Sequence, residues 1–234
     1  MRKYISCNLQ NYREWESERN MAIVVDGIIG AGKSSIGAFL SEALDMPLFQ
    51  ELKSDDENTL AQRMLDRFYE MPERWSAIIQ IMFLTDRFKD LTEIEKQNKR
   101  GILDRSIYGD EIFARTIHAR GQMSDDEFEI YLSVLEQMLS YVKVPELLIY
   151  IDVTIDTALQ RIAKRNRSTE GDLIPRDYLE DLRDQYEKWF DAYELSPKLK
   201  IDLNESALDE KGQIRDDFKK NLLEKLEILG ITKK

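Results

Sequence analysis

The chain has one cysteine, Cys7, and one histidine, His118, among its 234 residues. A single thiol excludes a disulfide framework and a cysteine-based metal site, and it points to a reducing compartment, the cytoplasm. Proline and glycine are scarce too, at 5 and 10, and no repeat, low-complexity tract or linker interrupts the chain. Long apolar runs are missing. The stretch Ala77 to Leu84 falls far short of the roughly 20 residues a membrane-spanning helix needs. Met1 to Asn20 mixes Arg2, Lys3 and Arg13 with Glu14, Glu16 and Glu18, without the apolar segment of a signal peptide. Positive charge is in deficit: 34 Lys and Arg against 45 Asp and Glu, a net −11. A field of that sign repels nucleic acid polymers and argues against a membrane-surface role. An acidic chain that binds a polyanion must concentrate its cations locally.

What remains is 42% hydrophobic residues, enough for one sizeable core. Residues 21–234 read as a single domain, and residues 1–20 as a leader of unknown role. Met21 to Asp26 is a short apolar run ending in a glycine turn, which predicts a buried parallel strand. After the turn, Ile36, Phe39, Leu40, Ala43 and Leu44 recur on one face of a helix. Further strands are expected at Pro47–Gln50, Gly101–Asp104, Leu147–Asp152 and Leu199–Asp202. Helical patterns fill the gaps. Between Ser124 and Val142, for example, Phe128, Tyr131, Leu132, Leu135, Met138, Leu139 and Val142 make one stripe, either core or dimer interface. Strands alternating with helices predict an α/β fold, a five-stranded parallel sheet covered on both faces. Ligands of such sheets bind just beyond the carboxyl ends of the strands.

The chemistry-bearing residues lie there. Gly27-Ile-Ile-Gly30-Ala31-Gly32-Lys33-Ser34 matches the phosphate-loop pattern at every fixed position, with Ser35 following. Its glycines let backbone N–H groups turn inward around phosphate oxygens, and the helix starting at Lys33 adds its positive end. Lys33 is placed to reach the β- and γ-phosphates, and Ser34 to ligate Mg²⁺. The guanine-reading Asn-Lys-x-Asp of a GTPase is not found. The strand ending at Asp152 continues to Val153, not to the Glu with which a motor or AAA-type ATPase polarises water. A transferase to a small acceptor remains.

With these motifs in this order, the sequence from about Ala22 onward resembles the deoxynucleoside kinase family, especially the bacterial deoxyadenosine/deoxyguanosine kinases. The resemblance implies a P-loop kinase fold with an arginine-rich lid. It also implies ATP and Mg²⁺ as donor and metal, a deoxynucleoside acceptor and a homodimer. Glu51, at the end of the second strand, matches the family's general base for the 5′-hydroxyl. Asp104-Arg105-Ser106 matches its Asp/Glu-Arg-Ser motif: Asp104 would help hold Mg²⁺, and Arg105 would bridge the acceptor oxygen and the transferring phosphoryl group. Arg161, Arg165 and Arg167 match the lid and supply the local cations expected above. Gln80, Arg87 and Asp110 match the residues on the base edge, and Tyr69 and Glu170 those on the sugar 3′-hydroxyl. Gln80 stands out by itself, because an amide inside an apolar run implies a hydrogen-bond partner.

Three departures accompany the match. The base-stacking phenylalanine of many members is replaced by Ala114, with Phe113 one position earlier. The lid has an extra residue between Glu170 and Pro175, and the Trp found after the general base in some members is absent. Asp202-Leu-Asn204-Glu205 resembles the loop that packs on the donor's adenine; an exposed turn is the other reading. His118, on a polar helix segment, is expected to be solvated. Two rival functions stay in view. A thymidylate-type nucleoside monophosphate kinase would need cations for the acceptor's own phosphate, which Glu51 would repel. A non-catalytic nucleotide sensor would need neither Glu51 nor a sugar site.

Overall fold

A computed structural model of the protein describes residues 22–51, 59–165, 174–204, 207–209 and 212–233, Arg165 by its backbone alone. The leader, Arg167, Glu170 and Glu205 lie outside the described residues.

Ala22–Asp26 has no polar alternation, and it forms strand β1 with all five residues buried. A strand with two buried faces needs partners at both edges and cover above and below. β1 pairs in parallel with β3 (Gly101–Asp104) on one side and β4 (Leu147–Asp152) on the other. β3 continues to β2 (Leu48–Phe49), and β4 to β5 (Lys198–Asp202). The result is the expected five-stranded parallel sheet, in the order β2-β3-β1-β4-β5. Its strands match the expected ones to within a residue or so; β2 is the shortest, with only two residues. From β1 the chain runs out to β2 at one edge, returns to β3 beside β1, and then crosses to β4 and β5 on the other side. This reversal opens a crevice beyond the carboxyl ends of β1 and its neighbours, the usual ligand position in such sheets.

Eight helices are described: α1 (Lys33–Leu44), α2 (Leu60–Glu70), α3 (Pro72–Gln97), α4 (Ile107–Ala119), α5 (Asp125–Leu139), α6 (Ile155–Arg165), α7 (Arg176–Ala192) and α8 (Asp216–Ile228). α1 presses Ile36, Leu40 and Leu44 into the core, as the apolar recurrence predicted. α5 starts where Ser124 and Glu127 close a capping box, which satisfies two otherwise unpaired N–H groups. Its stripe faces inward: Phe128, Tyr131, Leu135 and Leu139 are buried within this chain, so these four are core. His118 is half-buried, its side chain partly open to solvent. Its ring stacks on Phe128 at 4.4 Å, and Nε2 lies 2.7 Å from Asp125 Oδ1. The reason is that α4 turns its last coil against α5, which brings an aromatic face to the histidine.

Ile36 is fully buried, on the helix that begins at the phosphate loop. Replacing it by Ala removes apolar contact and leaves a cavity. Ile36→Ala is therefore expected to cost about 2–5 kcal/mol of unfolding free energy, read as a lower denaturation midpoint at unchanged slope.

Candidate active site

The turn between β1 and α1 requires glycine. Gly27, Gly30 and Gly32 all take positive φ. A Cβ at Gly30 would stand 2.5 Å from the carbonyl oxygen of Ala158, so the loop rests against α6 with no room for a side chain. Gly32 caps α1 without any side-chain hydrogen bond, which leaves the N–H groups of Lys33 and Ser34 at the helix start for an anion. Within the loop, the Ala31 N–H donates to Ile28 O at 3.2 Å and the Ser35 N–H to Gly32 O at 3.2 Å. Lys33 is buried and folds back, its Nζ donating to Gly27 O at 3.2 Å and Ile28 O at 2.9 Å. Burial, and after it the Arg105 guanidinium, lowers Lys33 to about 8. These carbonyls hold the ammonium where phosphates would replace them.

Ser34 Oγ donates to Asp104 Oδ2 at 2.7 Å, joining the start of α1 to the end of β3. The other oxygen, Asp104 Oδ1, is buried without a hydrogen-bond partner. Among the described residues no cluster of three or more His, Cys, Asp or Glu side chains could hold a metal. A hydroxyl and a carboxylate with a spare oxygen nevertheless fit Mg²⁺, which takes one or two protein ligands and leaves the rest to phosphates and water.

Next to this pair runs a chain of alternating charges. Asp26, at the end of β1, lies 3.4 Å from Arg105. Arg105 Nε donates to Glu51 Oε2 at 2.8 Å, Glu51 Oε1 accepts from Arg87, and Arg87 pairs with Asp110. Tyr131 donates to Asp110 Oδ2 at 2.5 Å and closes the far end. Burial alone would raise Glu51, but Arg105, Arg87 and Lys33 outweigh it and bring the carboxyl down to about 2. Asp26 keeps the opposite sign: burial raises it despite Arg105, Tyr186 and Lys33.

Four separated segments thus bring Lys33, Ser34, Glu51, Arg87, Asp104, Arg105 and Asp110 together. Gln80 shares α3 with Arg87, and its Oε1 is buried with no hydrogen-bond partner. The partner implied by the sequence is not a described protein group. Tyr69, half-buried near the end of α2, tilts against Phe68 at 5.3 Å. Arg161, which the resemblance assigns to the phosphoryl group, stands against the phosphate loop. It donates to Ala31 O at 2.9 Å and Leu203 O at 2.5 Å, bracing the loop backbone against the segment after β5. Ala114 is fully buried, whereas Phe113 lies under the Arg105 guanidinium at 4.4 Å, so the aromatic beside the site is Phe113. Asn204 Oδ1 accepts from the Thr154 N–H at 2.9 Å, tying the turn after β5 to the start of α6.

Sequence reasoning missed Asp26, Tyr131 and Tyr186. For Asp26 a signal existed: a carboxylate closing an apolar strand is costly without partners. The two tyrosines sit in helical stripes, where nothing separates them from core aromatics.

A glycine loop after the central strand, with a Ser-Asp pair and buried cations, defines a P-loop phosphotransferase. The deoxynucleoside kinase family model matches residues 23–226, and the chain belongs to that family. It is 35% identical over 227 residues to a deoxyguanosine kinase of Lactobacillus johnsonii, covering 86% of this chain and 98% of that one. It is 33% identical to a deoxyadenosine/deoxycytidine kinase of Bacillus subtilis, covering 84% and 88%. A solved deoxyadenosine kinase from M. mycoides superimposes with a TM-score of 0.72 at 27% identity, covering 88% of this chain and 99% of that one.

Lys33 generates a pH prediction. A triphosphate stabilises the charged ammonium, so binding raises a group that starts near 8 and takes up a proton where the free lysine is neutral. Calorimetry of ATP binding in buffers of different ionisation enthalpy should show uptake of most of a proton at about pH 8.5 and little at about pH 7. ATP affinity therefore falls as pH rises through this window, and Lys33→Ala abolishes the uptake.

Proposed function

We propose that this deoxynucleoside kinase transfers the γ-phosphoryl group of ATP·Mg²⁺ to the 5′-hydroxyl of a purine deoxynucleoside, with deoxycytidine as a second acceptor. The observation that carries the reading is Glu51, an ionised carboxylate gripped by Arg105 on the phosphate-loop side and Arg87 on the Gln80 side. In this role Glu51 orients the hydroxyl and accepts its proton late, as the oxygen bonds to phosphorus and becomes acidic. A carboxyl held near 2 is a weak base but stays ionised throughout the neutral range. Lys33, the loop N–H groups, Arg105, Arg165 and Arg167 would stabilise charge on the phosphoryl oxygens, the main term in this chemistry. Ser34 and Asp104 would hold Mg²⁺, which when bound neutralises phosphate charge. Tyr69 and Glu170 would bind the sugar.

Glu51 also weighs against a monophosphate acceptor, whose phosphate would meet a carboxylate. A mere sensor leaves the Glu51 grip without a purpose. Purine acceptors are supported by relatives named as deoxyguanosine and deoxyadenosine kinases, and deoxycytidine as a second acceptor by one named as a deoxyadenosine/deoxycytidine kinase. The same choice is also supported by Gln80 Oε1, an acceptor lacking a donor, together with Arg87 and Asp110. Arg87 offers only donors and Asp110, if ionised, only acceptors, a set that meets an edge mixing acceptors with an amino group. Thymine has no exocyclic amine. A homodimer, a cytoplasmic place in nucleotide salvage and one domain over residues 21–234 complete the proposal, on the resemblance and the cysteine count.

Coupled-assay turnover should separate deoxynucleosides from monophosphates, and Glu51→Gln should lower kcat by roughly 10² while ATP still binds. Near-native turnover in that variant removes Glu51 from the mechanism. Across a panel of four deoxynucleosides, thymidine should be the poorest. Arg87→Met combined with Asp110→Ala should raise thymidine relative to deoxyadenosine, because unpaired polar groups no longer penalise it. An unchanged ratio rejects this account of base choice.

A further inference from the structure

Arg105 is held more tightly than pairing with Glu51 requires. Its backbone lies at φ 72°, a region that residues with side chains rarely adopt and that persists where surroundings over-determine it. Its N–H donates to Val25 O at 3.0 Å. In the side chain, Nε is taken by Glu51, while Nη1 donates to Gly27 O at 2.9 Å and to the Tyr186 hydroxyl at 2.6 Å. Tyr186 donates onward to Asp26 Oδ1 at 2.7 Å, and the same oxygen accepts the Gly27 N–H at 2.9 Å. Nη2 has no hydrogen-bond partner among the described residues.

Tyr186 and Asp26 are themselves confined. The Tyr186 ring stacks on Tyr150 at 5.7 Å and meets Phe113 and Trp189 edge-on at 6.1 and 6.0 Å. Asp26 is walled in by α4, for a Cβ at Gly109 would stand 2.4 Å from Oδ2. That oxygen is buried and unpartnered, a cost that packing alone does not require. A phenylalanine at position 186 would fill the same aromatic walls, so the hydroxyl is the feature to explain. Both its hydrogen bonds serve one line, Arg105 to Tyr186 to Asp26.

We propose that Asp26 and Tyr186 are positioning residues for Arg105: they occupy Nη1, fix the plane of the guanidinium, and leave Nη2 as the donor for the acceptor oxygen and the transferring phosphoryl group. This rests on the kinase reading above. Neither residue touches substrate. Without them the guanidinium keeps its charge and its bonds to Glu51 and Gly27 O but loses the contacts to Tyr186 and Asp26 that fix the direction of Nη1, and small misplacements at a reacting centre are expensive in rate.

The test is steady-state kinetics of Tyr186→Phe, Asp26→Asn and Arg105→Lys, singly and combined. Wild-type turnover of deoxynucleosides is measured first, and its absence overturns the kinase reading along with this inference. Given turnover, Tyr186→Phe should lower kcat roughly 10- to 100-fold. KM for both substrates should stay within about threefold, and the thermal transition should remain cooperative. Tyr186→Phe added to Arg105→Lys should cost nothing further, because the two act as a unit. Multiplying losses, a raised KM at unchanged kcat, or native kcat would each refute the positioning role while leaving the kinase reading intact. Asp26→Asn keeps the shape of the side chain and should reproduce the kcat-only loss. If Tyr186→Phe does not fold, Asp26→Asn replaces it, and the same results support or refute the positioning role.

Discussion

The alternation of charge from Asp26 through Arg105, Glu51 and Arg87 to Asp110 is the constraint around which the site is arranged. Taking ions out of water costs several kcal/mol each, and mutual attraction offsets this only with good geometry and satisfied hydrogen bonds. Each interior member therefore stands between two of opposite sign. The ends, where one neighbour is missing, are finished by tyrosine hydroxyls donating to Asp26 and Asp110. The finish is unequal. Asp26 lacks a partner for Oδ2, and burial pushes its carboxyl up, whereas Glu51, with a guanidinium on each side, is pushed down. Partial burial alone would push a carboxyl at the position of Glu51 toward neutrality; between two arginines it remains an anion.

This arrangement depends on the sheet. Asp26, Glu51 and Asp104-Arg105 stand at or just beyond the carboxyl ends of β1, β2 and β3, and parallel pairing in register sets them side by side. Gln80 and Arg87 come from α3, Asp110 from α4, Tyr131 from α5 and Tyr186 from α7. Outside the loops, these groups sit on rigid elements, which suits a reaction in which the protein's task is to hold charges still. The guanidiniums of Arg87 and Arg105 lie inside, where low dielectric makes each count for more.

Residues set by backbone geometry or matched to a family motif were readable in the sequence. The phosphate loop was legible because its glycines obey a steric rule, and Asp104-Arg105 through the family resemblance, since an Asp-Arg after a strand is by itself often only an ion pair. Gln80 was legible because an amide among apolar neighbours is anomalous. Side-chain direction was not legible. Arg161 turns to backbone carbonyls of the loop, His118 stacks on an aromatic ring, and Phe113 rather than Ala114 lies beside Arg105. Each outcome depends on a neighbour contributed by a distant segment. Asp26 and Tyr186 are separated by 160 positions, so no local pattern could join them. The strand pattern accounted for the apolar residues of β1 and left its last, acidic one unexplained.

Arg87 links the two halves of the proposed chemistry. It pairs with Asp110 on the side assigned to the base and with Glu51 on the side assigned to the 5′-hydroxyl. A base edge that accepts a hydrogen bond from Arg87 competes for the same donors that help keep Glu51 ionised. One that offers an amine to Asp110 pulls in the other direction. Because the guanidinium is buried, neither contact is screened by water as it would be at the surface. On the proposed roles, the fit of the base would be felt at Glu51, and mismatched bases would lose partly in turnover rather than only in affinity. Interactions realised more fully in the transition state than in the ground state are the ones that raise kcat, and a guanidinium shared between recognition and chemistry is a direct physical route to them.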